Sequence, residues 1–351
     1  MRIQKPFFYR LCRKFFFCKK LSAKNQFKSI TGLYLNDFIG ELNSDLQNVL
    51  NRKVESQITF YGGFNNLFFV QHFLDGKLKF ITKVAPTKLT LRERSFFDWQ
   101  QKNISSVDCI APNMLLYKEL KVGSMSSLTM ECLSLPKEYR PDAIIELYNR
   151  MGRLSESLPT FPGVKKVGNI LQFEFEAKTK ITSIIKYIVT QLHDPQAYIA
   201  AADFMDARSD IFESRKDEFE ELKNFLLDSQ FIKHKLDFEK HYGFLHGDFK
   251  RSNILSDTDD DLKVIDMQYY NYGARLWDMA FYCSKEKDGF EESYMKFILP
   301  LELDEIELRI FVFFYILAAL LHVKKSNLKK MLCLKAFPAI ESLNIQQPLT
   351  R

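Results

Sequence analysis

Residues 245–255 read Leu-His-Gly-Asp-Phe-Lys-Arg-Ser-Asn-Ile-Leu, and residues 264–266 read Val-Ile-Asp. The apolar residues around the charged centre predict a polar loop between two short strands. Asp248, Asn253 and Asp266 supply two carboxylates and an amide within this region. Phosphoryl transfer uses these groups: one carboxylate orients the attacking hydroxyl and accepts its proton, while an amide oxygen and a second carboxylate hold magnesium. The spacing therefore predicts a kinase.

The same stretch, with Gly273 and Asp278 downstream, resembles the aminoglycoside phosphotransferase and choline kinase family, small-molecule relatives of the protein kinases. Protein kinases have arginine at the position of Gly247, so the resemblance is to the small-molecule branch. It implies an α+β, two-lobed, protein-kinase-like fold. In such a fold a small β-rich N-terminal lobe with one main helix precedes a larger, mostly helical C-terminal lobe. ATP and Mg²⁺ are the implied cofactors.

The resemblance assigns a role to each polar residue of the motif. Asp248 is the expected catalytic residue, and Asn253 and Asp266 are the expected metal ligands. His246 and Asp278 are expected to support the loop structurally. Lys250 either offsets charge on the transferred phosphoryl group or is an exposed basic residue.

Upstream, residues 58–70 place aromatic and β-branched residues around a glycine pair, which predicts a strand, a turn and a second strand. The pattern resembles the family's glycine-rich phosphate loop. That resemblance implies that Gly62, Gly63 and Asn65 contact the nucleotide phosphates. A plain β-hairpin is the alternative.

Two charged residues are candidates for holding the nucleotide from the next strand and helix. Residues 78–84 alternate as a strand, with Lys83 and Ile81 on one face and Thr82 and Val84 on the other. The resemblance implies that Lys83 reaches the phosphates and that Glu93, on a helix over residues 89–101 capped by Thr87 or Thr90, pairs with it. A solvated strand lysine and an exposed helix glutamate are the alternatives.

Residues 127–133 form an apolar segment that ends near a glutamate and precedes a proline, which predicts a strand leading into a hinge. In the family the hinge backbone pairs with adenine. Glu131 and Leu133 are expected to supply those backbone groups, with Met130 beside the base. Only the order of segments in the chain supports this assignment, because backbone recognition needs no particular side chain.

One position departs from the family pattern. Many relatives have an acid two residues after the metal-binding aspartate, whereas this chain has Gln268. A branch that resembles the ecdysteroid-kinase-like proteins also carries an amide there, so activity is still expected. The acceptor stays open.

Length and composition set the division of the chain. With 351 residues and 46% hydrophobic content, we expect more than one small domain. We predict an N-terminal extension over residues 1–35, a nucleotide-binding lobe over 36–130, a hinge over 131–136 and a C-terminal lobe over 137–351. Six cysteines without paired spacing indicate reduced thiols and a cytoplasmic location. Residues 310–321 are apolar but shorter than the roughly twenty residues of a bilayer span, which predicts a buried helix.

The N-terminal arm, residues 1–30, carries nine lysines and arginines and no acid, with aromatic residues between them. Such a segment can lie on an anionic membrane, which here would be the inner membrane face. The alternative is an arm that packs on the fold. We do not expect nucleic-acid binding, because charge alone favours it and no recognition motif supports it.

Three functions are consistent with the sequence. The first is ATP-dependent transfer of the γ-phosphate to a hydroxyl of a small molecule: a sugar, an amino alcohol or an aminoglycoside-like compound. The second is a membrane-surface kinase of a cell-envelope carbohydrate of the lipopolysaccharide type. The third is a catalytically silent nucleotide-binding or scaffold protein. An acid-rich stretch over residues 194–221 favours a cationic acceptor or is simply a solvated surface.

Overall fold

The structure is a computed structural model that describes residues 25, 27–59, 67–103, 109–120, 124–154, 164–167, 170–173, 180–212, 216–257, 261–287 and 289–321. These residues divide into two compact units. The first unit contains the described residues up to 103, those from 111 to 134, and residues 266–268. The second unit contains the others.

The first unit is a five-stranded antiparallel sheet with a helix against each face. The sheet order is β1-β2-β3-β5-β4. The strands are β1 Glu55–Thr59, β2 Phe68–Leu74, β3 Lys77–Pro86, β4 Met114–Glu119 and β5 Met125–Glu131, and the helices are α1 Leu35–Leu50 and α2 Thr87–Lys102.

Alternation along the strands decides which side chains face which helix. Phe68, Val70 and Val84 share one face and pack in a buried core with the apolar side of α1. Lys83 is one residue out of phase with Val84, so it lies on the face that meets α2. The strand predicted around Lys83 is confirmed, and its alternation places the lysine beside α2.

The helix predicted after this strand is confirmed, but its predicted cap is wrong. Helix α2 begins at Thr87, directly after Pro86, and no side chain caps it. Thr90 lies inside the helix, where its hydroxyl donates to the carbonyl of Thr87. Pro86 occupies the N-cap position and its side chain has no oxygen to accept a hydrogen bond, so neither threonine caps this end.

The second unit is mostly helical and contains three short two-stranded sheets among its described residues. Its helices are α3 Pro141–Arg153, α4 Lys180–Thr190, α5 Pro195–Asp206, α6 Lys216–Asp228, α7 Ile232–Lys235, α8 Phe238–His241, α9 Leu276–Lys285, α10 Phe290–Ser293 and α11 Glu305–Leu321. Its strands are β6 Val164–Val167, β7 Ile170–Phe173, β8 Tyr242–Leu245, β9 Ile254–Ser256, β10 Leu262–Val264 and β11 Asn271–Ala274. Short 3₁₀ helices cover Ser209–Phe212, Ser229–Phe231, Arg251–Asn253 and Leu299–Leu301, and a short π-helix covers Tyr294–Ile298.

Helix α11 forms the centre of this unit. Its residues from 310 to 320 are all buried, so the predicted buried helix is confirmed. Aromatic contacts join it to neighbouring helices: Phe313 lies 5.5 Å from Tyr198 of α5, and Phe314 lies 5.8 Å from Trp277 of α9, between ring centroids. Within the described residues, no helix combines the length and the apolar character that crossing a bilayer requires.

Candidate active site

The predicted catalytic loop lies between two short strands of the second unit. Strand β8 ends at Leu245 and pairs with β11, while β9 begins at Ile254 and pairs with β10. The amide of Ile265 donates to the carbonyl of Asn253 over 2.9 Å. This hydrogen bond ties Ile265, the residue before Asp266, to Asn253 at the end of the loop. The loop and flanking strands predicted from the sequence are confirmed.

Asp278 braces the start of the loop from helix α9. Its two carboxylate oxygens accept from the backbone amides of His246 and Gly247 over 2.7 and 2.9 Å. The side chain is buried. Burial raises the pKa of Asp278 to about 7, and the two amide hydrogen bonds act in the opposite direction. This carboxylate therefore holds two consecutive peptide groups at the turn into the loop.

Gly247 occupies a position that other residues would fill only with strain. Its φ is +80°, and a Cβ built on it would lie 2.5 Å from the backbone carbonyl oxygen of Tyr269. Both facts favour glycine, since left-handed backbone is costly for other residues and a backbone carbonyl cannot move aside. The arginine of the protein kinases does not fit this backbone.

His246 is a buried part of the loop scaffold. One ring nitrogen, Nε2, lies 2.8 Å from the carbonyl oxygen of Ile265, and the amide of Asp248 donates to Nδ1 over 3.2 Å. A carbonyl needs a donor and an amide needs an acceptor, so the neutral ring carries its proton on Nε2. Both nitrogens bond to backbone, which accords with the supporting role predicted for this residue.

One oxygen of Asp248 is held by two neighbouring side chains. Oδ2 accepts from Lys250 Nζ over 2.6 Å and from Asn253 Nδ2 over 2.9 Å. Asn253 Nδ2 also donates to the backbone oxygen of Asp248 over 2.9 Å. The Oδ1 atom accepts no hydrogen bond from the part of the chain that the structure describes.

A second brace holds the turn that carries Asn253. The hydroxyl of Tyr139 lies 3.1 Å from the carbonyl oxygen of Arg251 and 3.3 Å from that of Ile254, and these two acceptors share its single proton. The Arg251 guanidinium forms an ion pair with the buried Glu286. Its carbon lies 5.1 Å from the ring centre of Tyr139. Sequence reasoning missed Tyr139 and Glu286, because neither lies in a motif.

In the first unit, Lys83 lies between two carboxylates. Its Nζ is 3.0 Å from Glu93 Oε1 and 2.6 Å from Asp266 Oδ1. Lys83 and Glu93 are buried, so the pair expected from the sequence is formed and is shielded from water. The alternatives of a solvated lysine and an exposed glutamate are therefore wrong.

The electrostatics of this cluster keep Lys83 charged. Burial alone would lower the pKa of Lys83, but attraction to Glu93 and Asp266 outweighs it and holds the pKa above its usual range. Burial raises the pKa of Glu93 to about 7, against the attraction of Lys83. A backbone hydrogen bond from Met267 also reaches Glu93. The cluster thus links strand β3, helix α2 and residues 266–267.

Asp266 has a left-handed backbone with φ of +65°. Such a conformation costs roughly 1–3 kcal/mol outside glycine and is concentrated at functional sites. Its side chain is partly exposed, whereas its partners Lys83 and Gln268 are buried. The strained backbone therefore holds a carboxylate at the edge of a buried cluster.

The remaining predicted nucleotide contacts are only partly described. Met130 is buried at the end of β5. The amide of Glu131 donates to the carbonyl of Asn113, and its carboxylate accepts from that asparagine. Leu133 is half-buried. Gly62, Gly63 and Asn65 lie outside the described residues, so the phosphate loop stays a prediction.

The predicted residues thus form two groups. Lys83, Glu93 and Asp266 meet in the first unit. The second unit brings together Asp248 and Asn253 in the loop, with His246 and Asp278 at its start. The roles of these residues, and their convergence on one nucleotide, stay predictions.

Residues 181–300 match the model of the phosphotransferase enzyme family. The matched part includes the catalytic loop and Asp278, so the resemblance seen in the sequence is confirmed there. The match spans 120 of the 351 residues, so it shows similarity to that family over this part of the chain. No curated protein sequence matches the chain.

Solved structures with a similar fold include a candidate fructosamine-3-kinase from Thermobifida fusca. It is 14% identical, and the match covers 85% of this chain and 98% of that one with a TM-score of 0.50. A candidate fructosamine-3-kinase from Haemophilus somnus, also 14% identical, covers 85% and 96% with a TM-score of 0.48. An amicoumacin kinase, 14% identical, covers 84% and 90% with a TM-score of 0.48. The Thermobifida fusca match supports the kinase-like α+β fold predicted from the sequence.

Proposed function

We propose that the protein is an ATP-dependent kinase that transfers the γ-phosphate to a hydroxyl of a small molecule. The observation that carries the proposal is the geometry of Asp248. One carboxylate oxygen is occupied by Lys250 and Asn253, while the other accepts nothing from the described residues. A carboxylate held in this way can orient a hydroxyl with its second oxygen. The match of residues 181–300 to the phosphotransferase family supports the same conclusion.

Proton transfer to Asp248 completes the proposed chemistry. The acceptor oxygen attacks the γ-phosphorus, the bond from that phosphorus to the bridging oxygen breaks, and ADP leaves. The hydroxyl proton passes to Asp248 Oδ1 as the new P–O bond forms. Lys250, 2.6 Å from Oδ2, adds positive charge beside the carboxylate. That charge stabilises negative charge on the transferring group.

The residues present fit a magnesium ion. Mg²⁺ prefers carboxylate and amide oxygens. Asn253 uses its amide nitrogen toward Asp248, which leaves the carbonyl end of the amide as its candidate metal ligand. Asp266 would supply the carboxylate. When bound, the ion would neutralise charge on the phosphate oxygens.

Lys83 is proposed to bind the α and β phosphates. Its ammonium is buried and already paired with Glu93, which holds it in one orientation. Breaking a buried pair typically costs about 3–5 kcal/mol, because the remaining charge is left uncompensated. The ion pair with Glu93 therefore keeps the Lys83 ammonium in one orientation.

Asp248→Asn tests the catalytic assignment. The asparagine keeps the size of the side chain but accepts a proton poorly, so we expect phosphoryl transfer to fall by about 10²-fold or more. Binding of a fluorescent ATP analogue should persist. The assay is transfer from labelled ATP to a panel of sugars, choline-like alcohols and aminoglycosides.

Asp37→Asn is a matched control, because it makes the same change at an exposed aspartate of α1, outside the loop and outside the acid-rich stretch. It should transfer phosphate at the wild-type rate. Unchanged turnover of Asp248→Asn would remove this residue from its role. Wild-type protein that binds ATP but phosphorylates no acceptor in an extended panel would favour the silent scaffold.

A further inference from the structure

Gln268 is a buried side chain that the proposed mechanism does not use. It is 2% exposed and lies two residues after Asp266. Its Nε2 donates to Asp266 Oδ1 over 2.9 Å, the same oxygen that accepts from Lys83 Nζ over 2.6 Å. A carboxylate at neutral pH only accepts hydrogen bonds, so this contact sets the orientation of the amide. The amide nitrogen Nε2 therefore faces Asp266, and the amide oxygen Oε1 faces away from that hydrogen bond.

The oxygen of this amide has no donor in the described part of the chain. Gln268 Oε1 is buried and accepts no hydrogen bond there. Buried polar atoms nearly always have a partner in the protein or an ordered water, so an unsatisfied one calls for a bound group. Mg²⁺ in proteins usually keeps several of its waters, each of which is a donor.

We propose that Gln268 is a positioning residue for the metal. Its nitrogen orients the Asp266 carboxylate, and its oxygen accepts a hydrogen bond from a water of the Mg²⁺ shell. This inference rests on the proposed function, because it requires Asp266 to be a metal ligand. Lys83 and Gln268 both donate to the same carboxylate oxygen of Asp266, Oδ1.

The neutral side chain also sets the charge of the site. A glutamate at this position would be unable to donate to Asp266 at neutral pH, and it would add a negative charge beside that carboxylate. Like charges this close repel each other, and the repulsion is relieved by a cation between them or by a proton on one of them. Gln268 therefore lets Asp266 keep its orientation before the metal arrives.

Gln268→Met tests the inference on the full-length protein, because methionine has a similar length but neither the donor nor the acceptor. The readout is the Mg²⁺ concentration that gives half-maximal binding of a fluorescent ATP analogue. Loss of a group that supports a metal ligand typically weakens metal binding by about 10–100-fold. We expect the half-maximal concentration to rise by about tenfold.

Gln100→Met is the matched control. Gln100 is 1% exposed in the same unit, and its amide exchanges two hydrogen bonds with the backbone of Ala111. This variant should lower the melting temperature without changing the Mg²⁺ midpoint. A purely structural role for Gln268 would give the same result as the control.

Gln268→Glu provides a second variant that keeps an acceptor oxygen. We expect its metal-free melting temperature to fall below that of the wild type, and its rise on adding Mg²⁺ and nucleotide to be larger. Wild-type Mg²⁺ midpoints in both Gln268 variants would overturn the inference while leaving the proposed function intact. Wild-type protein that binds no nucleotide at any Mg²⁺ concentration would overturn both.

Discussion

Gly247 shows how one residue distinguishes this loop from the catalytic loop of the protein kinases. Its amide donates to Asp278, and its φ of +80° turns the chain between the buried His246 and Asp248. The neighbouring backbone carbonyl of Tyr269 leaves no room for a Cβ. The glycine is therefore required by the backbone geometry and not only by the chemistry of the loop.

Gly247→Ala should destabilise the protein and slow phosphoryl transfer. We expect a loss of roughly 2–4 kcal/mol in the free energy of unfolding, because backbone strain of about 1–3 kcal/mol adds to a steric clash. Urea denaturation measures this loss. Gly76→Ala is the control, since Gly76 has φ of +73° but nothing within 4 Å of its Cβ position.

The comparison of the two variants isolates the clash from the strain. Gly76→Ala should cost only the strain and leave catalysis unchanged, because it lies in the β2–β3 turn. Equal losses in the two variants would show that the close carbonyl of Tyr269 adds nothing.

At the scale of secondary-structure elements, a chain of buried and half-buried polar side chains crosses the sheet of the first unit. The His72 ring lies 2.6 Å from Ser56 Oγ and 2.7 Å from Thr82 Oγ1. Thr82 Oγ1 is 2.6 Å from Thr129 Oγ1, and Ser56 also bonds to Asn43 of α1. These contacts join α1 to four strands. A one-residue slip in any strand would turn its polar member to the other face, so the chain of contacts supports the register.

His72 makes the stability of the first unit depend on pH. Burial lowers the pKa of His72 to about 4. Between pH 6.5 and 4 the unfolded chain binds a proton at this residue and the folded protein does not. The free energy of unfolding therefore keeps its full value above pH 6.5 and decreases as the pH falls toward 4, because the proton binds only to the unfolded chain. From pH 6.5 to pH 5 we expect a loss of about 2 kcal/mol from this residue.

His72→Gln should remove this component, because glutamine keeps a donor and an acceptor but does not titrate. Urea unfolding of wild type and variant at pH 7 and pH 5 measures the difference. His234→Gln, at an exposed histidine of α7, is the matched control, and its free energy of unfolding should change between pH 7 and pH 5 by the same amount as that of the wild type. A His72→Gln protein that loses as much stability between these pH values as the wild type would contradict the assignment.

At the scale of the whole molecule, the basic N-terminal arm is the segment for which the sequence predicts a contact with a membrane. Residues 1–24 lie outside the described residues, so the membrane interpretation stays a prediction from sequence. Phe27, by contrast, is fully buried, with its ring centre 5.3 Å from those of Phe38 and Phe68. A truncation that tests the arm must therefore keep Phe27.

Deleting residues 1–24 should weaken sedimentation with vesicles that contain anionic lipid. The deletion removes eight lysines and arginines and no acid. Each cation near the headgroups contributes about 1 kcal/mol, so the loss should be large at low salt and smaller at high salt. Vesicles of neutral lipid are the control. Equal binding of the truncated and full-length proteins to anionic vesicles would reject the membrane interpretation.

The sequence by itself determined the local parts of this protein. Asp248 and Asn253 lie five residues apart between two apolar stretches, and this pattern predicted that they share one loop. Lys83 and Glu93 lie ten residues apart on a strand and the helix that follows it, and the pair they form was also predicted. Phosphoryl-transfer chemistry restricts which residue types can occupy such positions, and this made the local pattern readable.

Only the tertiary structure decided the long-range contacts. Lys83 and Asp266 are 183 residues apart, and their direct ion pair follows from residues 266–268 joining the first unit. Gln268 was visible only as a departure from the family pattern, and its bond to Asp266 gives it a role. Tyr139 and Glu286 had no signal at all. Such residues meet only in the folded chain. Hydrogen-bond partners that are far apart in the sequence leave no periodic pattern in the sequence.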